Sequence, residues 1–105
     1  MTLDEFDEFW DKMLKEEHEL LIKKGQEYSG KENRFRNFES IGEELSLDPK
    51  QVLWVYLHKH MDGIRSYLRG EYTGIEPIRG RIADARNYLV LLAGMIQEEE
   101  DNKPI

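Results

Sequence analysis

The sequence predicts an all-α fold: three long helices and one short one packed as a small bundle. Three observations predict it. Apolar residues recur at three- and four-residue steps through each long segment, which places them on one helical face. Helix-start chemistry stands at Thr2 with Glu5, at Asp48-Pro49 with Gln51, and at Pro77. No stretch alternates apolar and polar residues in the manner of a half-buried strand, and no repeat is visible.

The first helix is expected from about 3 to 25. Thr2 and Glu5 form a capping-box start, and Leu3, Phe6, Trp10, Met13, Leu14, Leu20 and Leu21 give the stripe. Glu17 interrupts that stripe, with Lys24 and Tyr28 in line with it two and three turns on. The segment 25–33 is rich in turn formers. A short helix follows over 34–45, with Phe35, Phe38, Ile41 and Leu45 inward, and Arg34, Arg36 and Asn37 flanking the aromatics. The third helix is expected over 49–69, capped by Asp48, with Pro49 at its first position and Gln51 closing the box. Its inner face is Val52, Leu53, Tyr56, Leu57, Ile64 and Tyr67, with His60 at the centre and Lys59 at the edge. Gly63, on the Lys59 side, leaves room for close approach. The fourth helix, over 77–97, is the most apolar. Ile78, Ile82, Ala85, Leu89, Leu92 and Ile96 form one stripe, and Tyr88, Leu91 and Met95 widen it. A helix that apolar wants cover on most sides, so the bundle is expected to be completed by homo-oligomerisation. The domain is read as 1–97, with 98–105 a disordered acidic tail.

Composition narrows the function classes. The chain has 105 residues, 39% hydrophobic and 35% charged, with net charge −7. Glu98, Glu99, Glu100 and Asp101, offset by Lys103, carry −3 of that and leave −4 on the body. An acidic body disfavours duplex nucleic acid or an anionic membrane as partner. No apolar run approaches the ~18 residues of a membrane span, and no signal peptide is visible. The absence of cysteine excludes disulfides, zinc–thiolate sites and thiol catalysis, and fits a cytoplasmic location.

Each long helix turns polar residues inward: Glu17 and Lys24, Lys59 and His60, Arg81 and Asp84. At roughly 100° per residue, Arg81 falls between Ile78, Ala85 and Tyr88, and Asp84 lies in line with Tyr88, Leu91 and Met95. Unpaired burial of such charges costs several kcal/mol, so they must meet each other, another helix or a ligand. Three such intrusions point to a polar pocket between helices. Cationic donors (Lys24, Lys59, Arg81) beside aromatics (Tyr28, Phe35, Tyr56, Tyr88) suit a phosphate-bearing base.

The blocks Lys24-Gly25-Gln26-Glu27-Tyr28-Ser29, Arg34-Phe35-Arg36-Asn37-Phe38, Lys59 through Arg65, and Glu76-Pro77-Ile78-Arg79-Gly80-Arg81-Ile82 with Asp84, Asn87 and Tyr88 together resemble the phage and prophage proteins grouped as nucleotide-modification-associated domains. Those are similar to the MazG-like all-α nucleotide pyrophosphohydrolases. The resemblance spans about 20–97 and is most specific over 76–88. It implies a MazG-like helical bundle, often oligomeric, that handles a small nucleotide, in the host cytoplasm if a phage encodes it. Carried over by position, it assigns Lys24, Tyr28, Asn37, Lys59, Arg81, Asp84 and Asn87 to ligand binding. Arg34, Phe35 and His60 join them from the residue pattern.

One departure bears on chemistry. MazG-type hydrolases hold Mg²⁺ with a Glu-x-x-Glu helix and a later Glu-x-x-Asp helix. Here Glu16-x-x-Glu19 faces mostly solvent, and Arg81-x-x-Asp84 stands where Glu-x-x-Asp is expected. Arginine repels a cation and attracts a phosphate. The expectation therefore tilts to a non-catalytic, cofactor-free nucleotide binder, a phage sponge for a defence signal. Two alternatives stay open. One is a divergent Mg²⁺-dependent hydrolase using Glu17, Asp62 and Asp84; the other is a structural or partner-binding helical module.

Overall fold

A computed structural model describes residues 1–103, apart from the side chains of Tyr28 and Ser29. It is all-α, with four helices in the expected order: α1 (Leu3–Ser29), α2 (Arg36–Leu45), α3 (Pro49–Leu68) and α4 (Ile78–Asp101). The chain divides into two compact units, Met1–Arg34 and Phe35–Ile105. Among the described residues no helix is long and apolar enough to cross a membrane.

The first unit is α1 and the turn that follows it. Thr2 caps it: the Glu5 N–H donates to the Thr2 hydroxyl oxygen (3.1 Å), and that hydroxyl donates to the Glu5 carboxylate (3.0 Å). The helix runs four residues past Gly25, its expected end. A single glycine costs a helix only about 1 kcal/mol, and this one is buried because Arg34 fills the space of the missing side chain. A Cβ there would lie 2.6 Å from Arg34 Nε. The stop comes at Gly30, whose φ of 75° suits glycine.

The second unit packs α3 against both α2 and α4. α2 starts at Arg36, two residues later than the pattern suggests, and ends at Ser46 in the left-handed region (φ 59°). The N–H groups of Ser46 and Leu47 both donate to the Gly42 carbonyl, the latter at 2.8 Å. The chain doubles back so closely that a Cβ on Gly42 would sit 2.5 Å from the Leu47 oxygen. α3 opens with the capping box read from sequence: Asp48 accepts from the Lys50 N–H (2.8 Å), and Gln51 accepts from the Asp48 N–H (3.0 Å). Pro77 lies just outside α4, as its N-cap, in an extended conformation.

The core joins Phe38 of α2, Val52 and Leu53 of α3, and Leu91 and Met95 of α4, with Phe35, Ile41, Tyr88 and Leu92 packed against it. Leu53 is fully buried. On α4 the buried side is Ala85, Leu91 and Met95, while Ile82, Leu89 and Ile96 of the expected stripe are exposed. With apolar residues on most sides between Tyr88 and Ile96, α4 leaves the choice of face to its neighbours, and α3 meets the side that carries Asp84 and Tyr88. Tyr56 and Tyr67, expected inward on α3, are exposed as well.

α4 continues through Asp101, four residues into the acidic run read as a disordered tail; residues 104 and 105 lie outside the described residues. Lys50 at the start of α3 pairs with Asp48 (3.1 Å) and with Glu99. Those two carboxylates, Glu99 foremost, hold the Lys50 ammonium more firmly protonated than usual. The acidic end of α4 is thereby tied to α3.

Candidate functional site

The polar residues of the second unit gather where α3 crosses the N-terminal half of α4. Their spacing places them there: His60 and Gly63 share one edge of α3, one turn apart, and Arg81, Asp84 and Tyr88 follow at three and four residues along one line of α4. His60 is buried, and its ring lies 5.5 Å from that of Tyr88. Tyr88 stacks on Tyr56 at 6.3 Å with planes 9° apart, and Phe38 meets both edge-on. The geometry is that of favourable aromatic pairs.

Asp84 Oδ2 is 3.8 Å from His60 Nδ1, too long for a hydrogen bond. Burial pushes the His60 imidazolium to a lower pKa than usual. Asp84 opposes that shift and Arg81 adds to it, and to a smaller extent Glu76 opposes it and Lys59 adds to it. His60 is therefore neutral at pH 7, an amphoteric group with one donor and one acceptor nitrogen. Its Nδ1 is buried with no hydrogen-bond partner.

Arg81 lies across Gly63: a Cβ on that glycine would be 3.3 Å from both Cδ and Nε of the arginine. Its Nε stands 3.3 Å from Glu76 Oε2 but makes no hydrogen bond of good geometry, although it too is buried. The Tyr72 phenol lies against the guanidinium and, with burial opposing and Glu76 and Asp84 assisting, holds its charge more firmly still. Tyr72 also donates its hydroxyl proton to the Glu76 carbonyl. The site thus offers a fixed cation, a neutral imidazole, a carboxylate and an aromatic face within two turns of helix.

The residues expected from sequence separate into groups. His60, Arg81 and Asp84 come together. Asn87 is half-buried one turn beyond Asp84, and Lys59 is exposed beside His60. Phe35 packs elsewhere: its ring would touch a Cβ on Gly94 at 3.1 Å. That is ten residues, or about 15 Å of helix rise, from Asp84. There Phe35 lines a cavity of about 100 Å³ with Glu39, Pro49, Lys50, Met95 and Glu99. Asn37 is half-buried in the first turn of α2. Lys24 and Arg34 are half-buried members of the first unit, and the Tyr28 side chain lies outside the described residues. Tyr72 and Glu76 were not among the expected site residues, although Glu76 opens the block 76–88 on which the resemblance is most specific. They sit in a loop without periodicity, where the pattern offers no more than a carboxylate five residues before Arg81.

Mg²⁺, which the resemblance implies for a hydrolase, does not fit this donor set. The ion needs hard oxygen ligands, whereas Asp84 has a histidine on one side and shares its line with a guanidinium. Asp62 faces elsewhere on α3, exposed and paired with Arg65 (2.7 Å) and His58 (3.5 Å). Among the described residues no group of three or more histidines and carboxylates is placed to hold a metal ion. Comparison with known proteins adds no identification: no protein-family model, curated protein or solved structure matches the chain.

Proposed function

We propose that the chain binds a small phosphate-bearing nucleotide at the α3–α4 crossing and holds it without turnover. The observation that carries this reading is the pair of buried nitrogens, His60 Nδ1 and Arg81 Nε, with no hydrogen-bond partner. His60 lies beside the Tyr88–Tyr56 stack, and Arg81 beside Gly63 and Glu76. A buried polar atom left unsatisfied costs about 1–3 kcal/mol, and a ligand that completes those bonds recovers that cost. Arg81 supplies the donors for a phosphate, with charge-assisted bonds about twice as strong as neutral ones. His60 and Asp84 supply mixed donors and acceptors for the edge of a base. An arginine beside the carboxylate disfavours Mg²⁺, and without the metal ion that offsets charge in phosphoryl transfer retention is favoured over hydrolysis. Sequestration of a signalling nucleotide, in the manner of a phage sponge, follows from the resemblance of the Glu76–Tyr88 block to phage proteins.

Assembly belongs to the same proposal. Leu89, Val90 and Ile96 are exposed on α4, at 52%, 56% and 42%, and a second copy would cover them. Light scattering at micromolar concentration tests that part, and a monomer refutes it.

Calorimetry with mono-, di-, tri- and cyclic nucleotides, followed by chromatography of the recovered ligand, tests the binding. Arg81→Ala should abolish it while the helical signal survives. Arg81→Lys should restore it only in part, because the planar fork is lost. Appearance of monophosphate and pyrophosphate on adding Mg²⁺ would overturn the reading in favour of a hydrolase. Failure of every nucleotide to bind leaves a structural module.

A further inference from the structure

We propose that Glu76 occupies Arg81 in the free protein as a built-in stand-in for the ligand's anionic group. Binding would then exchange the Glu76 carboxylate for phosphate. This inference rests on the nucleotide-binding reading for its ligand, but its geometry is separate from that reading.

The segment from Gly70 to Pro77 is a short strap between α3 and α4. Its beginning is fixed where the Gly70 N–H donates to the Tyr67 carbonyl and the Glu71 N–H to the Ser66 carbonyl, both at 2.9 Å. Its far end is fixed by Tyr72, which packs edge-on against Tyr67 at 6.2 Å and donates to the Glu76 carbonyl. Between those anchors Thr73, Gly74 and Ile75 are exposed, Ile75 completely. The strap therefore buries no apolar side chain at its tip. Its one charged contact inward is Glu76, whose side chain turns back over the first turn of α4 to Arg81. Gly80 leaves the space for that path, since a Cβ there would meet Glu76 Oε1 at 3.1 Å.

Charge and geometry mark this contact as exchangeable. The Glu76 side chain is 39% exposed while that of Arg81 is 17% exposed, so the carboxylate can swing into water but the guanidinium is held. Arg81 Nε also keeps its hydrogen unmatched at 3.3 Å from Glu76. A carboxylate carries one negative charge, whereas a phosphate carries up to two and three acceptor oxygens. The phosphate is the better partner for the same donors. A partly exposed ion pair contributes modestly, so its displacement lowers apparent affinity by about threefold to fivefold, through the fraction of protein whose Arg81 is open.

The test uses the full chain, with inorganic pyrophosphate and ATP as calorimetric probes. Glu76→Gln should bind pyrophosphate about threefold to fivefold tighter than the wild type, and Arg81→Ala should bind none, alone or combined with Glu76→Gln. Glu71→Gln removes the same charge from the same strap away from Arg81 and controls for the general field; far-UV circular dichroism confirms that each variant folds. An unchanged or weaker affinity in Glu76→Gln overturns the exchange, as does an equal gain in Glu71→Gln or a gain that persists without Arg81. Wild-type binding of ATP with no gain in Glu76→Gln sinks the exchange and leaves the nucleotide reading standing. A gain for pyrophosphate with no preference for ATP does the reverse, and no binding of either probe to any variant overturns both.

Discussion

Replacing three helical glycines by alanine, one at a time, separates backbone propensity from what each missing side chain makes room for. The common term is favourable: alanine in a helix interior is better than glycine by about 0.8–1.0 kcal/mol. The opposing term differs with the atom that the new Cβ meets. At Gly80 it meets Glu76 Oε1 at 3.1 Å, the free end of a flexible, partly exposed side chain that moves aside at small cost. Gly80→Ala should therefore stabilise by about 0.5–1 kcal/mol. At Gly63 it meets Arg81 Cδ and Nε at 3.3 Å. Shifting that held guanidinium disturbs an ion pair of at most about 1 kcal/mol, so the two terms nearly cancel, although the Arg81 site is displaced.

At Gly42 the Cβ would lie 2.5 Å from a backbone oxygen, that of Leu47. The Leu47 N–H is itself bonded to the Gly42 carbonyl at 2.8 Å, and Ser46 before it is left-handed. Nothing there yields without loosening the end of α2. Overpacking costs about 1–3 kcal/mol and a weakened backbone hydrogen bond about 1 kcal/mol. Net of propensity, Gly42→Ala should destabilise by about 1–3 kcal/mol. Urea unfolding followed by circular dichroism is the assay. With a slope of about 1–1.5 kcal/mol per molar, toward the low end of the range for so short a chain, the Gly42 and Gly80 variants should differ in midpoint by about 1 M or more. A Gly42→Ala midpoint at or above that of Gly80→Ala would refute the reasoning.

Two further outcomes follow from the α3–α4 crossing. Burial depresses the folded pKa of His60, so between that value and the ordinary 6.5 the unfolded chain binds a proton that the folded chain does not. Stability from this group is complete above pH 6.5 and lost as pH falls; His60→Leu should flatten the acid side of a stability–pH curve by up to about 1.4 kcal/mol per pH unit, and an unchanged slope would contradict the neutral buried imidazole. The triple variant His60→Leu, Arg81→Met, Asp84→Leu should match the wild type or exceed it by about 1–4 kcal/mol in urea unfolding, as apolar replacement of buried charged groups often does; a loss of that size would show that the cluster stabilises the fold.

What the sequence revealed was chemistry confined to one helix, and what it concealed depended on a neighbour. The caps at Thr2 and Asp48 act over two or three residues and were legible in full. The helix count followed from periodicity. The inward placement of His60, Arg81 and Asp84 was legible because an ion on an apolar arc stands out in any register. The buried side of α4 was not, because Ile82, Leu89 and Ile96 make as good a stripe as Ala85, Leu91 and Met95. Only contact with α3 decides between them. Phe35 looked like a stacking partner for a base because apolar rings carry no label for their destination; Gly94 gives it a seat at the other end of the helix. The partner of Arg81 was hidden for a different reason. Glu76 lies beyond the start of the helix, where a helical wheel has no authority, and Tyr72 reaches it through a loop with no period.

That hidden partner bears on why the polar cluster exists. Charged groups at a helix crossing stabilise a fold poorly, because desolvation offsets their attraction. Apolar side chains would fill the same space, as they do a few turns along at Leu53, Leu91 and Met95. A chain that retains His60, Arg81 and Asp84 there, with two buried nitrogens lacking hydrogen bonds, forgoes stability at that crossing. The strap supplies Arg81 with a carboxylate at 3.3 Å, enough to offset its charge but not enough to satisfy its Nε hydrogen. A purely structural pair would be expected to close that gap, since the Glu76 side chain is exposed enough to move. The incomplete match is what a site requires if it is to keep a cation folded in the absence of ligand and still release it to a better anion.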